Sequence, residues 1–250
     1  MIDRAEPLLT IIIPAYNEER RLPRSLEQVV AFVQAQPAPM EVLVVENGSR
    51  DRTTQIAEGF AADHAFIRVM HSEKGKGAAV RAGMMAGRGR YLFICDSDLS
   101  MPIAEVHKFL PPMSADYDVA IASREGPGAH RYGEPAYRHL MGRVFNLIVR
   151  VLAIPGFQDT QCGFKSFRRE VAREVFAALT MTGWAFDVEA LFVALQRGYR
   201  VVAVPIDWYF DADSRVDPLR DTWRMLRDVF RIRLNGWRGV YNRAGQGISV

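Results

Sequence analysis

The run Tyr91-Leu92-Phe93-Ile94-Cys95-Asp96-Ser97-Asp98 decides the fold. An apolar stretch of strand length stops abruptly at two acids, as a buried strand does when it delivers polar groups to a sheet edge. The same unit recurs upstream. Leu9–Ile13, Val42–Val45 and Ile67–Met70 are short runs rich in β-branched residues, separated by helical patterns at Leu22–Val33, Thr53–Ala62 and Ala78–Ala86. Apolar runs joined by helices predict a parallel sheet with right-handed crossovers, an α/β fold of Rossmann-like design. In such a sheet ligands sit beyond the carboxyl ends of the strands. The segments 14–19, 46–51, 72–77 and 96–100 should therefore form the site, and all four are polar or contain glycine.

Further along, Val119–Ala122 reads as a fifth strand and 125–134, rich in glycine and charge, as a mobile loop. Helical patterns follow at 137–152, 170–176, 188–196 and 219–234, with strand-like stretches at 163–167 and 201–210. Residues 1–241 then make one domain, with a ligand-binding half over 8–122, a second half over 123–241, and a loose tail at 242–250. With 49% hydrophobic and 24% charged residues in 250, the chain is of ordinary globular composition and long enough to bury a sizeable core. A net charge of +3 carries no overall nucleic-acid footprint. Two cysteines are too few for a disulfide framework or a cysteine-rich metal site. No stretch approaches the ~18 apolar residues of a membrane span, and the N-terminus shows no signal-peptide pattern, so an intracellular protein is expected.

In an extended chain, side chains at i and i+2 point the same way, so Asp96 and Asp98 can face one ligand. Oxygen donors without a nearby histidine suit Mg²⁺ or Mn²⁺, and a cation there would neutralise charge on a departing diphosphate. The plainer alternative is that the acids cap the following segment. Lys74-Gly75-Lys76-Gly77 lies between the third strand and a helix; glycines admit backbone amides to a phosphate and Lys76 adds a point charge. It is no Walker A loop, and as a tetrapeptide it reads equally as a solvated basic turn. Pro14, Ala15, Tyr16 and Glu18 follow the first strand and Glu46 and Asn47 the second. Their acceptors suit ribose hydroxyls and base edges, Tyr16 suits packing on a base, and Asp51 suits a helix cap. Ser97, between the two acids, completes the candidate set for a ligand with diphosphate, ribose and base.

Taken in order, these segments resemble the inverting family-2 glycosyltransferases of the GT-A fold. Asp159-Thr160-Gln161-Cys162-Gly163-Phe164-Lys165, Trp184-Ala185-Phe186-Asp187-Val188-Glu189 and Ser123-Arg124 look like the dolichyl-phosphate β-glucosyltransferase and polyprenyl-phosphate sugar synthase group. The resemblance, from about Leu8 to Leu234, implies a UDP-glucose-like donor, a Mg²⁺ or Mn²⁺ ion and a lipid-phosphate acceptor. Many relatives carry two aspartates where this chain has Glu46-Asn47, and related mannosyl enzymes have a glutamine where Ser100 stands.

A phosphate acceptor, with a second pKa of about 6, is already ionised and needs positioning more than a base. Arg124 and Arg138 are the expected clamps, and Asp159 would orient acceptor or lysine. A hydroxyl acceptor needs a proton-accepting carboxylate, for which Asp159 and Asp187 are the candidates. The same two acids read alternatively as partners of Lys165 or of arginines. Arg220, Arg224, Arg227 and Arg231 share one helix face beside Leu219, Trp223, Leu226 and Phe230. With 138–152 this predicts peripheral contact at the inner face of the cytoplasmic membrane; packing of both helices on the sheet is the alternative. A membrane partner or homo-oligomer would fit a chain without an anchor. The rival functions are sugar transfer to a glycan or glycolipid hydroxyl, and a catalytically inactive sugar-nucleotide binder.

Overall fold

The computed structural model describes residues 6–114, 116–211 and 218–242, with the side chains of 218–223 left out. Four parallel strands lead: β1 (Leu9–Ala15), β2 (Met40–Glu46), β3 (Ile67–His71) and β4 (Tyr91–Ile94). Between them run α1 (Leu22–Gln34), α2 (Thr53–Asp63) and α3 (Lys76–Ala86). Every residue of β1, β2 and β4 is buried, because helices cover both faces of the sheet. Alternation sorts the side chains between two cores. Ile12, Leu43, Val45, Leu92 and Ile94 join one, and Leu9, Ile11, Ile13, Val42, Val44 and Phe93 join the other. Each such side chain contributes about 1.5–3 kcal/mol of burial, so a one-residue slip of register would be prohibitive.

The second half continues with β5 (Val119–Ser123), β6 (His130–Tyr132), α4 (Ala136–Leu152), β7 (Lys165–Arg168), α5 (Arg169–Ala177), α6 (Phe186–Gln196), β8 (Val201–Pro205), β9 (Asp207–Tyr209) and α7 (Pro218–Trp237). The sheet order is β3-β2-β1-β4-β7-β5-β8, so β7 lies between β4 and β5 and is antiparallel to both. Its register pairs Ile94 with Lys165. Two residues on from Ile94 and two back from Lys165, Asp96 and Gly163 are thereby brought opposite each other.

Two expectations are corrected. The glycine-rich stretch 125–134 contains β6, which pairs in parallel with β9 as a separate two-stranded ribbon. The run 201–210 is two strands, because the chain leaves β5 after Pro205 and takes up β6 at Asp207. Residues 103–109 form a 3-10 segment. Of the expected loose tail, 243–250 lie outside the described residues, as do the side chains of Leu219, Arg220 and Trp223. No helix among the described residues is long and apolar enough to cross a membrane.

The two late helices differ from ordinary sheet-packing helices. On α4, Tyr137, Leu140, Met141, Val144, Leu147 and Val151 are exposed at helical spacing, with Leu140 at 65% and Val151 at 73%. On α7, Val229 and Ile232 are buried, but Phe230, Leu234 and Trp237 face outward. The apolar stripe of α4 thus points away from the core, and α4 packs beside α7.

Candidate active site

The carboxyl ends of β1, β2 and β4 converge with the N-terminus of α3. Pro14 and Ala15 are the last two residues of β1, in register with Val45 and Glu46. Tyr16 lies under Lys74, whose Nζ is 5.3 Å from the ring centre. Glu18 is buried and forked by Arg21, at 2.7 Å from Nε and 2.9 Å from Nη2. Arg21 also reaches Asp211 at 3.1 Å, just beyond β9, and so straps the first loop to the second half. Glu46 accepts from the Ser49 amide and lies 3.1 Å from His71 Nδ1; burial pushes its carboxyl up, but these hydrogen bonds outweigh it and leave it lowered. Asn47 is buried beside it, and among the described residues its Oδ1 lacks a hydrogen-bond partner. An acceptor stranded in this way favours a ligand bearing an N–H or O–H. The N-cap position of α2 falls on Arg52 and not on the expected Asp51, which stands one residue earlier and accepts from Thr53 N at 3.0 Å and Glu19 N at 3.1 Å.

Asp96 follows β4 with one oxygen, Oδ1, 2.6 Å from Lys76 Nζ. Its Oδ2 lies against the Cα of Gly163, where a Cβ would stand 2.7 Å from the Asp96 carboxyl carbon. Ser97 is buried, and its carbonyl accepts from Ser25 Oγ at 2.7 Å. Asp98 Oδ1 accepts from Ser100 N at 3.0 Å, in a turn where Leu99 takes a φ of 48°. Burial, and then the charge of Asp96, push the Asp98 carboxyl up against the pull of Ser100, Lys76 and Arg21. Burial pulls the Lys76 ammonium down, but Asp96, Asp187 and Asp98 together outweigh it and hold it raised.

A divalent cation fits this place on the chemistry of the donors. Both acids offer oxygen only, and a carboxyl raised beside a like charge is one that added positive charge would stabilise. Among the described residues no three His, Cys, Asp or Glu side chains converge as a metal cluster. Asp96 and Asp98 would therefore be the protein ligands, with diphosphate and water oxygens supplying the rest, as suits Mg²⁺.

The glycines of the Lys74–Gly77 loop answer to a neighbour rather than to open space. Gly75, at φ 131°, packs against the backbone of Thr182, and a Cβ on Gly77 would meet Phe186 Cβ at 2.8 Å and the Gly183 carbonyl at 2.9 Å. This close approach seats Lys76 at the first position of α3 with its Nζ 5.1 Å from the ring centre of Trp184. Behind it Asp187 and Lys165 form a buried ion pair at 2.9 Å, and Lys165 also donates to the Cys162 carbonyl at 2.6 Å. Burial raises the Asp187 carboxyl more than Lys165 and Lys76 lower it.

Arg124 and Asp159 sit on the other side of β7. The Asp159 carboxylate accepts from Arg124 Nε at 2.7 Å, Nη2 at 3.0 Å and the backbone N at 3.0 Å. Burial opposes ionisation, yet the Arg124 charge and hydrogen bonds hold the Asp159 carboxyl down at about 2. A carboxylate so strongly stabilised has little proton affinity, so the pair suits holding Arg124 in place more than taking a proton. Arg124 and Arg131 flank the Trp208 ring at 5.3 and 5.8 Å, and Arg138 lies over Phe210 at 5.3 Å. Among the described residues the Arg138 Nε is buried without a hydrogen-bond partner. These rings lie on or beside β9, and Tyr209 N donates to Ser100 O at 2.7 Å, which clips the ribbon to the Asp96–Asp98 turn. Sequence reasoning overlooked Arg21, Trp208 and Phe210, and named Gly163 only within the 159–165 motif. Only the run of three aromatics, Trp208-Tyr209-Phe210, offered a signal.

Comparison with known proteins bears on the family and the fold. Residues 10–176 match the family described as Glycosyl transferase family 2. The dolichyl-phosphate beta-glucosyltransferase of Drosophila melanogaster is 35% identical over 92% of this chain and 77% of its own length. Its namesake from Homo sapiens is 30% identical, over 93% and 77% respectively. Among solved structures, glucosyl-3-phosphoglycerate synthase from Mycobacterium tuberculosis in complex with UDP superposes with a TM-score of 0.66 at 19% identity, over 92% of this chain and 79% of that one. The same enzyme with Mn²⁺ and UDP-glucose gives 0.64 at 19% identity, over 92% and 78%. At that identity the likeness speaks for the GT-A fold.

Proposed function

The chain belongs to glycosyl transferase family 2, and on that premise we propose that it moves glucose from UDP-glucose to a dolichyl or polyprenyl phosphate, with inversion, at a membrane surface. The observation that carries the reading is the clip between Tyr209 N and Ser100 O. It sets a ribbon of arginines and aromatic rings beside the two acids that would receive the sugar diphosphate.

A divalent ion on Asp96 and Asp98 would supply charge neutralisation for the leaving diphosphate. The chain's own groups do the rest. Glu46 and Asn47 present acceptors to the nucleoside, Tyr16 offers a ring face, and Lys76 offers a point charge to phosphate. Arg138 offers Nε to the acceptor phosphate, and Asp159 fixes Arg124 with its Nη1 amino group outside their fork. A phosphate acceptor needs no carboxylate base, which agrees with Asp159 held at about 2 and Asp187 buried against Lys165. The outward stripes of α4 and α7, with exposed Arg143, Arg227 and Arg231 among them, suit the headgroup layer in which such an acceptor is anchored.

A donor screen with Mn²⁺ and a short polyprenyl phosphate tests this, reading out lipid-linked sugar and its anomeric configuration. A β-linked glucosyl lipid phosphate from UDP-glucose is expected. Transfer only to hydroxyl-bearing glycans, or from no nucleotide sugar at all, would overturn the assignment.

A further inference from the structure

A cation of the protein already sits on one of the two donor-site acids. The ammonium of Lys76 is 2.6 Å from Asp96 Oδ1, while Oδ2 is backed by Gly163. Asp96 is thus held between a charge on one oxygen and main chain on the other. The pair is not sealed in: the two side chains are 19% and 23% exposed, and the Trp184 ring beside Lys76 is 45% exposed. Asp187, the next carboxylate along, is already committed to Lys165 at 2.9 Å.

We propose that Lys76 is an exchangeable counter-ion of Asp96, so that the divalent ion binds well only when a nucleoside diphosphate draws the ammonium away. The inference rests on Asp96 and Asp98 being the donor-site metal ligands and says what controls them. Two like charges on one carboxylate oxygen repel, so a metal entering alone has to displace Lys76. Asp98 is the other acid that would draw the ion in, and among the described residues no third acidic, histidine or cysteine side chain joins the two as a metal cluster. A diphosphate changes the balance twice. Its oxygens suit the compact lysine charge on its flexible stem, and they also complete the coordination of the ion. Metal and nucleotide then strengthen each other by the same factor, as linkage requires.

The test is Mn²⁺ binding to the full chain, read by the electron paramagnetic resonance signal of the free ion, with and without UDP. In the wild type UDP should tighten Mn²⁺ by a factor within about 5–150. Lys76→Met should tighten Mn²⁺ alone by about tenfold and shrink the effect of UDP, whereas Lys76→Arg should keep the effect. Lys76→Gln serves in place of the methionine variant should that one not fold, as judged by circular dichroism. An unchanged or weaker Mn²⁺ affinity in the neutral variant refutes the exchange. So does equal tightening with and without UDP, which is what a merely nearby charge would give. A wild-type chain that binds neither Mn²⁺ nor UDP would bring down the donor-site reading as well, and so is told apart from failure of the exchange alone.

Discussion

Gly163→Ala is the smallest change that should disable the site without unfolding the protein. A Cβ on residue 163 would stand 2.7 Å from the carboxyl carbon of Asp96 and nearer still to Oδ2. Carbon atoms rest at about 3.5–4.0 Å from one another, so something has to withdraw by roughly 1 Å. The backbone of β7 is held on both sides, by β4 and β5, and forcing it would cost about 1–3 kcal/mol. The Asp96 side chain is partly exposed and its χ angles are soft, so it yields first. Misplacing a catalytic group by about 1 Å costs on the order of 10²-fold in rate. Disturbing the support of a metal ligand costs about 10–100-fold in metal affinity. The expected outcome is a transfer rate down about a hundredfold and Mn²⁺ affinity in the presence of UDP down at least tenfold, with a melting temperature close to wild type. Wild-type rate and metal affinity in a folded Gly163→Ala protein would refute the claim that the carboxylate's position depends on that glycine. A protein that fails to fold would show instead that the main chain, not Asp96, gives way.

Asp98→Asn should lower transfer by about 10²–10³-fold, and calorimetry should find its stability no lower than wild type, because burial already disfavours the ionised form. Asp159→Asn strands the buried Arg124 charge and should cost about 3–5 kcal/mol in urea unfolding. The same pair sets an acid dependence. With the Asp159 carboxyl held at about 2 against an ordinary value near ~3.9, its contribution is whole above pH ~4 and disappears as pH falls through about 2, a loss the Asn variant should not show. Leu140→Asp with Val144→Asp should abolish flotation with anionic liposomes while changing stability by less than about 0.5 kcal/mol, since both side chains are exposed; unchanged flotation would remove α4 from the membrane surface.

The β1–β4 half of the molecule was largely legible in the chain. Parallel strands buried on both faces leave an unbroken apolar signature, and the ends of β1 to β4 were read to within two or three residues because polar loops punctuate them. Partnership between distant segments leaves no such mark. The pattern of 163–167 announced a strand but not that it would enter the sheet upside down between β4 and β5. Gly75 and Gly77 suggested room for a phosphate, yet their tight neighbours, Thr182 to Phe186, are more than a hundred residues away. The pairing of Asp159 with Arg124 and of Asp187 with Lys165 was one of two readings that charge alone left open. The outward stripe of α4 could not be told from an inward one, because periodicity defines a face but not what the face meets.

The antiparallel strand that closes the gap beside β4 also limits how this protein can be cut and recombined. A fragment ending near residue 122 would leave β4 an open edge and strip Asp96 of its backing. Exchange of acceptor specificity between relatives by grafting the back half would carry that backing along with it. On the proposed reading, the donor-handling front half and the acceptor-choosing back half would be stitched together by a four-residue thread, and chimaeras should work only where graft and host agree about the geometry at its head.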